Sequence, residues 1–250
     1  MTVDYLSIKQ NYERDGFLKI ETLFTEERML EIEAQLKKYV KDVVPQLSPQ
    51  DVVYETRLNE STGNEIRNLW RMEHHSEYFA HLARDPGLLK LIDVLINGAP
   101  RLLAVELFAK PSRVGSAVPY HQDNAYFNYI PADALTCWIA IDDSDHTNGC
   151  VYYLRGSHRQ GTLPHIASQV QGNSLKIKNP PDPASADEVP GVLSRGGAII
   201  HHCCLLHRSE QNTSNRPRRG LLFVYRGSHC KEDLAGMSHY LSVLEGSKVS

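Results

Sequence analysis

The sequence predicts a mainly β protein with flanking helices, its strands folded as a double-sheet barrel or jelly roll. Three observations carry this. Helical periodicity is confined to about the first 100 residues, short β-prone runs separated by turns fill about residues 101–228, and no βαβ alternation links them. At 250 residues and 28.2 kDa the chain is expected to form a single domain, residues 1–250, ending in a tail over about 229–250.

Taken in order, Thr25 reads as an N-cap, with Glu26 and Glu27 facing the positive end of the helix dipole. Met29, Ile32, Leu36, Val40 and Val43 follow at three- and four-residue steps as one apolar stripe, and Pro45 stops it. A second helical stretch runs from about Ser76 to Ile96, broken or restarted at Asp85-Pro86 and closed by Asn97-Gly98. Leu102–Phe108, Leu135–Ile141, Cys150–Leu154, Val192–His202 and Gly220–Tyr225 read as strands. The Pro- and Asp-rich segment 171–190 reads as a long surface loop, a plausible lid over the barrel mouth.

Composition narrows the function classes. A net charge of −3, with 41% hydrophobic and 23% charged residues, gives no reason to expect nucleic acid or an anionic membrane as partner. No apolar run reaches the roughly 18 residues of a transmembrane helix, and the opening MTVDYLSIKQNYERDG lacks the apolar core of a secretion signal. A cytoplasmic protein with a small-molecule substrate is the expectation, and no feature specifies an oligomeric state. The five cysteines, Cys137, Cys150, Cys203, Cys204 and Cys230, lack CxxC pairing and read as buried free thiols. The run His201-His202-Cys203-Cys204 invites a zinc reading, but strand alternation would send neighbouring side chains to opposite faces.

The chemistry begins at Tyr120-His121-Gln122-Asp123. On a strand, His121 and Asp123 emerge on one face, able to fill two corners of an octahedral metal site. A histidine from a distant strand would complete the facial triad of a ferrous oxygenase. An apolar run ends at His207, followed by Ser209, Asn212, Ser214 and then Arg218, which opens the buried strand Leu221–Tyr225. A guanidinium so placed is costly without an anion, and its planar fork suits a carboxylate.

The blocks LFAKPSRVGSAVPYHQDNAYF, LTCWIAIDD, NGCVYYLRGSH and HRSEQNTSNRPRRGLLFVY, in this order over about 102–225, resemble the phytanoyl-CoA dioxygenase family of 2-oxoglutarate-dependent oxygenases. The HxSxxNxS…R pattern, with eleven residues from His207 to Arg218, is far more specific than HxD. The resemblance implies a double-stranded β-helix, cupin-like core. It implies Fe(II), 2-oxoglutarate and O2 as cofactor and co-substrates, with His121, Asp123 and His207 as iron ligands. Arg218 would hold the distal carboxylate of 2-oxoglutarate with Ser209 beside it, and Lys110 and Trp138 would line that pocket. Arg219, on the other face by alternation, is not the co-substrate residue. His202 is not the third ligand, since eleven residues after it stands Thr213. Arg155 departs from the family's usual proline before Gly-Ser-His, which affects a turn at the pocket rim.

The implied reaction is hydroxylation of an unactivated C–H bond, releasing succinate and CO2. Desaturation or ring closure is a related outcome, and the carboxylate of Asp123 argues against halogenation. Arg57, Arg67, Arg113, Tyr126 and Phe127, with Trp70, Arg71, His75 and Tyr129, are the candidate substrate residues. They suit a small polar or anionic metabolite, such as an amino acid, an organophosphonate, an acyl-CoA or a natural-product intermediate. Many of these arginines could instead be paired with Glu55, Glu65 or Glu73. Two other readings are a non-catalytic 2-oxoglutarate and metal sensor of the same fold, and a zinc hydrolase on a barrel.

Overall fold

Side-chain alternation along four long strands gives the main sheet one face packed by helices and one face that encloses a cavity. The computed structural model describes residues 4–55 and 65–247. The N-terminal part supplies α1 (Tyr5–Asp15), β1 (Phe17–Ile20), α2 (Glu26–Asp42), β2 (Val52–Tyr54), β3 (Ile66–Leu69), α3 (Met72–His75), α4 (Glu77–Leu82) and α5 (Pro86–Leu95).

α2 starts as expected, with the Arg28 amide donating to Thr25 Oγ1 at 3.4 Å, and it ends at Asp42 before Pro45. Its buried stripe is Met29, Ile32, Leu36 and Tyr39. Val40, expected inside, is 37% exposed, because Tyr39 takes the inner place three residues after Leu36. Asp85 caps α5 by accepting from the Gly87 and Leu88 amides at 2.9 and 3.1 Å, with Pro86 opening the helix.

Beyond residue 99 come β4 (Pro100–Lys110), β5 (Val118–His121), the single helical turn α6 (Asn124–Phe127), β6 (Tyr129–Ile130), β7 (Ala134–Ala140) and β8 (Val151–Leu154). Next are β9 (His165–Val170), β10 (Asn173–Ile177), β11 (Glu188–Pro190), β12 (Ala198–His202), β13 (His207–Ser209), β14 (Arg218–Gly227), β15 (Lys231–Glu232) and α7 (Leu234–Ser247). The seven-stranded sheet has the order β1-β12-β7-β14-β4-β3-β2, and the four-stranded sheet the order β11-β8-β13-β5. Their strand pairs are antiparallel, as a jelly roll requires. The fold is the double-stranded β-helix that the sequence predicts.

On the helix side of the large sheet, Val105, Leu107, Leu135, Cys137, Ile139, Ile200, Leu221, Phe223 and Tyr225 join Met29, Ile32, Phe79, Leu88 and Ile92 in the main core. Trp138, Ala140, Ile199 and Leu222 face the other way and pack with Tyr153 of the small sheet. Odd positions of β14 therefore stabilise the fold, while even positions, Arg218 to Val224, are available to the cavity.

Three expectations are corrected. The N-terminal part is not purely helical, since β1, β2 and β3 extend both edges of the large sheet; such short runs become strands only when a partner edge receives them. Residues 171–190 are not one loop, because Asn173–Ile177 alternates buried and half-buried residues and pairs with β9, and Glu188–Pro190 pairs with β8. The expected tail beyond 229 carries α7, Leu234–Ser247. Strand β12 also starts later than expected, at Ala198, since Gly196 has φ 83° and breaks the extended run. Among the described residues no helix is long and apolar enough to cross a membrane.

Candidate active site

His121 ends β5 and His207 begins β13, and the register sets them directly opposite one another, with ring centroids 4.1 Å apart. Asp123 does not lie on the strand. It sits in helical conformation at the N-terminal boundary of α6, where the chain turns. Gln122 pins that turn by donating to the carbonyls of Gly161 (2.8 Å) and Cys204 (2.6 Å) and accepting from the Leu163 amide (2.7 Å). The expected common side for His121 and Asp123 thus arises from a turn, not from alternation. Asp123 Oδ1 lies 3.4 Å from His207 Nε2 and 3.9 Å from His121 Nε2. One ligand atom of each of the three residues falls within 4.8 Å of the others.

The protonation pattern suits a cation. Each imidazole donates Nδ1–H to a backbone carbonyl, His121 to Pro119 and His207 to Leu205, both at 2.9 Å, which leaves the Nε2 lone pairs facing Asp123. Burial holds both imidazoles below the ordinary histidine pKa, and His121 adds to the effect on His207. Burial alone would raise the Asp123 carboxyl, but His207, His201 and His121 together pull it well below the usual carboxylate range. Two neutral imidazoles and one carboxylate are the donor set of a divalent first-row metal with open positions.

Sequence reasoning missed what steers Asp123. Its outer oxygen, Oδ2, accepts from Thr136 Oγ1 at 2.7 Å and from His201 Nε2 at 3.0 Å, so only Oδ1 is free for an ion. Thr136 and His201 are register partners on β7 and β12, both facing inward. The signal was present: in Ile199-Ile200-His201, alternation from the inward Ile199 puts His201 on the cavity face. The neighbouring His202, Cys203 and Cys204 do converge within 4.8 Å, contrary to the alternation argument, because β12 ends at His202 and the two cysteines occupy a turn. His202 Nδ1 is occupied by the Cys204 amide at 3.0 Å, and all five cysteines are buried and unpaired, as expected.

Arg218 opens β14 on the inner face, 4% exposed, with its guanidinium 5.3 Å from the Trp138 ring centroid. Among the described residues it has no carboxylate in hydrogen-bond or ion-pair range, and its buried Nε has no partner. Burial lowers its pKa to about 10, so it remains a cation at neutral pH. Ser209 is buried and, with Trp138, lines the same end of the cavity. Trp138 lies across Gly220, where a Cβ would stand 2.2 Å from the indole, so only glycine fits. Lys110 is opposite Arg218 in the register but does not line the cavity; its buried ammonium donates to the carbonyls of Ser116 and Glu210. Arg219 points away and pairs with Asp142 at 2.6 Å, as alternation requires.

The cavity has a volume of about 470 Å³ and is continuous from Arg218 past the three donors to Arg71 and Tyr240. Tyr126, Phe127, Trp70 and Arg71, four of the candidate substrate residues, line it. Arg67 does not; it forms a buried ion pair with Glu55 at 2.8 Å. Arg113 does not either, its backbone being held in a left-handed conformation by a hydrogen bond to the Ser214 carbonyl. His75 faces Asp51, and Tyr129 stacks under Arg226, both off the cavity lining. Arg57 lies outside the described residues. Arg155 pairs with Asp15 at 2.7 Å and Asp187 at 3.4 Å, bracing the turn where the family has proline. The lining also contains Glu106, Phe108, Asn173 and Tyr240, none of which sequence reasoning singled out.

A model of the phytanoyl-CoA dioxygenase (PhyH) family matches residues 12–220. Curated relatives include an ectoine dioxygenase of Bordetella bronchiseptica, 28% identical over 241 residues, covering 86% of this chain and 73% of that one. The peroxisomal phytanoyl-CoA dioxygenase of Rattus norvegicus is 26% identical over 239 residues, covering 90% and 70%. Among solved structures, the epimerase SnoN in complex with Fe3+, alpha ketoglutarate and nogalamycin RO superposes with a TM-score of 0.73 at 18% identity, over 94% of this chain and 88% of that one. EctD from S. alaskensis, with 2-oxoglutarate and 5-hydroxyectoine, gives 0.72 at 22% identity, over 91% and 78%. These two likenesses establish the fold.

Proposed function

This chain belongs to the phytanoyl-CoA dioxygenase family, and from that premise we propose that it is a 2-oxoglutarate-dependent non-haem iron dioxygenase hydroxylating a C–H bond of a small polar metabolite. The observation that carries the reading is Arg218: a buried guanidinium without a carboxylate partner among the described residues, in the same cavity as the His121–Asp123–His207 donors. Leaving such a charge unpaired is strongly destabilising, and a dicarboxylate with one end at the metal and the other on the guanidinium removes the penalty.

His121, Asp123 and His207 would hold Fe(II), which with 2-oxoglutarate supplies O2-dependent oxidation, releasing succinate and CO2. The chain's own part is positional. His201 and Thr136 hold Asp123 to a single free oxygen, which would give the ion one carboxylate contact. Trp138 and Ser209 would shape the slot for the co-substrate, and Trp138 stacks on the Arg218 fork so that its donors keep one orientation. The buried rings around the donors exclude water from the reacting C–H bond. Asp123 occupies the position that halogenases of this type give up to chloride, which supports hydroxylation.

The cavity continues well past the donors and Arg218, which favours an enzyme over a sensor that needs room for 2-oxoglutarate alone. The expected arginine cluster for an anionic substrate is reduced, since Arg67 is paired internally and Arg113 is off the lining. Buried free thiols support a reducing compartment such as the cytoplasm. The test is succinate release in air from the Fe(II)-loaded protein with 2-oxoglutarate, across panels of amino acids, phosphonates, acyl thioesters and amines. Succinate formed in step with a hydroxylated product supports the reading; metal and 2-oxoglutarate binding without succinate in every panel points to a sensor.

A further inference from the structure

Among the described residues, every charged side chain lining the cavity but two has a partner. Arg71 is held by Asp51 at 2.6 Å, Arg208 by Glu188 at 2.6 and 2.8 Å and also by Glu210, and Asp123 by Thr136 and His201. The first exception, Arg218, is accounted for by the co-substrate. The second is Glu106.

Glu106 lies on the inner face of β4, between the outward Val105 and Leu107, and its register partner across the sheet is Leu222, itself beside Trp138. Its carboxyl faces the cavity and forms no hydrogen bond or ion pair among the described residues. Its acid strength reflects that setting: burial first, then the charges of Asp123 and Glu73, push its pKa up to about 8. Glu73 is tied to the Val105 amide at 2.6 Å, so it does not neutralise its neighbour. With a pKa of about 8 the carboxyl is largely protonated at neutral pH while the cavity is empty, and a cation beside it would draw it to the carboxylate form. The walls around it are aromatic, with Trp70, Phe108, Tyr126 and Phe127 on the lining.

A carboxylate in a wall of rings is poorly solvated for an anion and well made for a cation. Ring faces attract an ammonium or amidinium through their quadrupoles, and the carboxylate supplies a charge-assisted hydrogen bond. A substrate carboxylate or phosphonate placed there would keep the carboxyl neutral and gain no ion pair. We infer that Glu106 is the specificity-determining residue of this site, and that the primary substrate carries a positively charged nitrogen which docks on its carboxylate among Trp70, Phe108, Tyr126 and Phe127. This deepens the oxygenase reading and rests on it for the word substrate, but the binding itself can be measured without turnover.

The probes are matched sets of compounds of similar size on one carbon skeleton: amines and amidines, neutral alcohols and amides, and carboxylates. Binding is read by calorimetry on the Co(II)-loaded protein with saturating 2-oxoglutarate, which separates this question from catalysis. The cationic set is expected to bind the unaltered protein best. Glu106→Gln is expected to weaken that set by about 10- to 100-fold, the worth of a hydrogen bond to a charged partner, with little effect on the neutral set. Glu106→Met, which removes an uncompensated acid, provides a second variant should the amide fold poorly. Equal or better binding of the carboxylates, cationic binding unchanged in both variants, or binding by none of the sets would each overturn the inference. Succinate release by the unaltered iron-loaded protein reports separately on the oxygenase reading, so the two fail distinguishably.

Discussion

His201 Nε2 stands 3.0 Å from Asp123 Oδ2, the oxygen turned away from His121 and His207. The contact divides the carboxylate into an anchored oxygen and a free one. Partners of this kind commonly account for about 10- to 100-fold in metal affinity. His201→Phe is therefore expected to weaken Co(II) binding by that order while leaving 2-oxoglutarate contacts intact, and Thr136→Val to weaken it further in combination. Calorimetric titration of the metal-free protein measures this; unchanged affinity in the double variant would show that Asp123 needs no such support.

Arg218 has a cation's cost without an anion among the described residues to offset it. Truncating one side of a buried charged contact costs about 2–5 kcal/mol, so Arg218→Ala is expected to raise the 2-oxoglutarate KM by roughly 30-fold or more. Arg218→Lys should fall between, keeping charge but losing the planar fork. The 2-oxoglutarate dependence of succinate release checks both, and unaltered kinetics in Arg218→Ala would remove the residue from the co-substrate site.

Gly220 is the floor on which Trp138 lies, with a Cβ position 2.2 Å from the indole. Gly220→Ala is expected to push the indole off Arg218 and weaken 2-oxoglutarate binding, with a change in tryptophan fluorescence. A variant with the original emission and affinity would mean that the ring has room elsewhere.

Phe223, fully buried on the helix side of β14, has no role in the cavity. Phe223→Ala is expected to lower stability by about 3–5 kcal/mol, read by chemical denaturation, while metal affinity of the folded fraction stays near its original value. A small loss would indicate that the helices pack loosely on the sheet.

The legible part of this protein was whatever depended on local chemistry. Thr25 as a helix cap, the restart at Asp85-Pro86, the strands around Leu107, Trp138 and Phe223, and the opposite fates of Arg218 and Arg219 follow from periodicity and capping alone. Residues brought together by pairing were harder. Phe17–Ile20 becomes a strand because β12 offers an edge, and Asn173–Ile177 because β9 does, while the prolines that follow disguised the latter as loop. Glu106 and Tyr240 were invisible for the same reason: one strand carboxylate and one tail tyrosine gain meaning only when the cavity that they line exists. Lys110, carried over by resemblance, and Arg67, singled out for its charge, are instead satisfied by internal hydrogen bonds and an ion pair.

The account is tested most directly by anaerobic titration of the metal-free protein with Fe(II) in the presence of 2-oxoglutarate, following the weak visible charge-transfer absorption of the ternary complex. It predicts one equivalent of iron per chain, with the band abolished in His207→Ala and in Asp123→Ala. A full band in either variant, or none in the unaltered protein, would contradict a ferrous centre built from His121, Asp123 and His207.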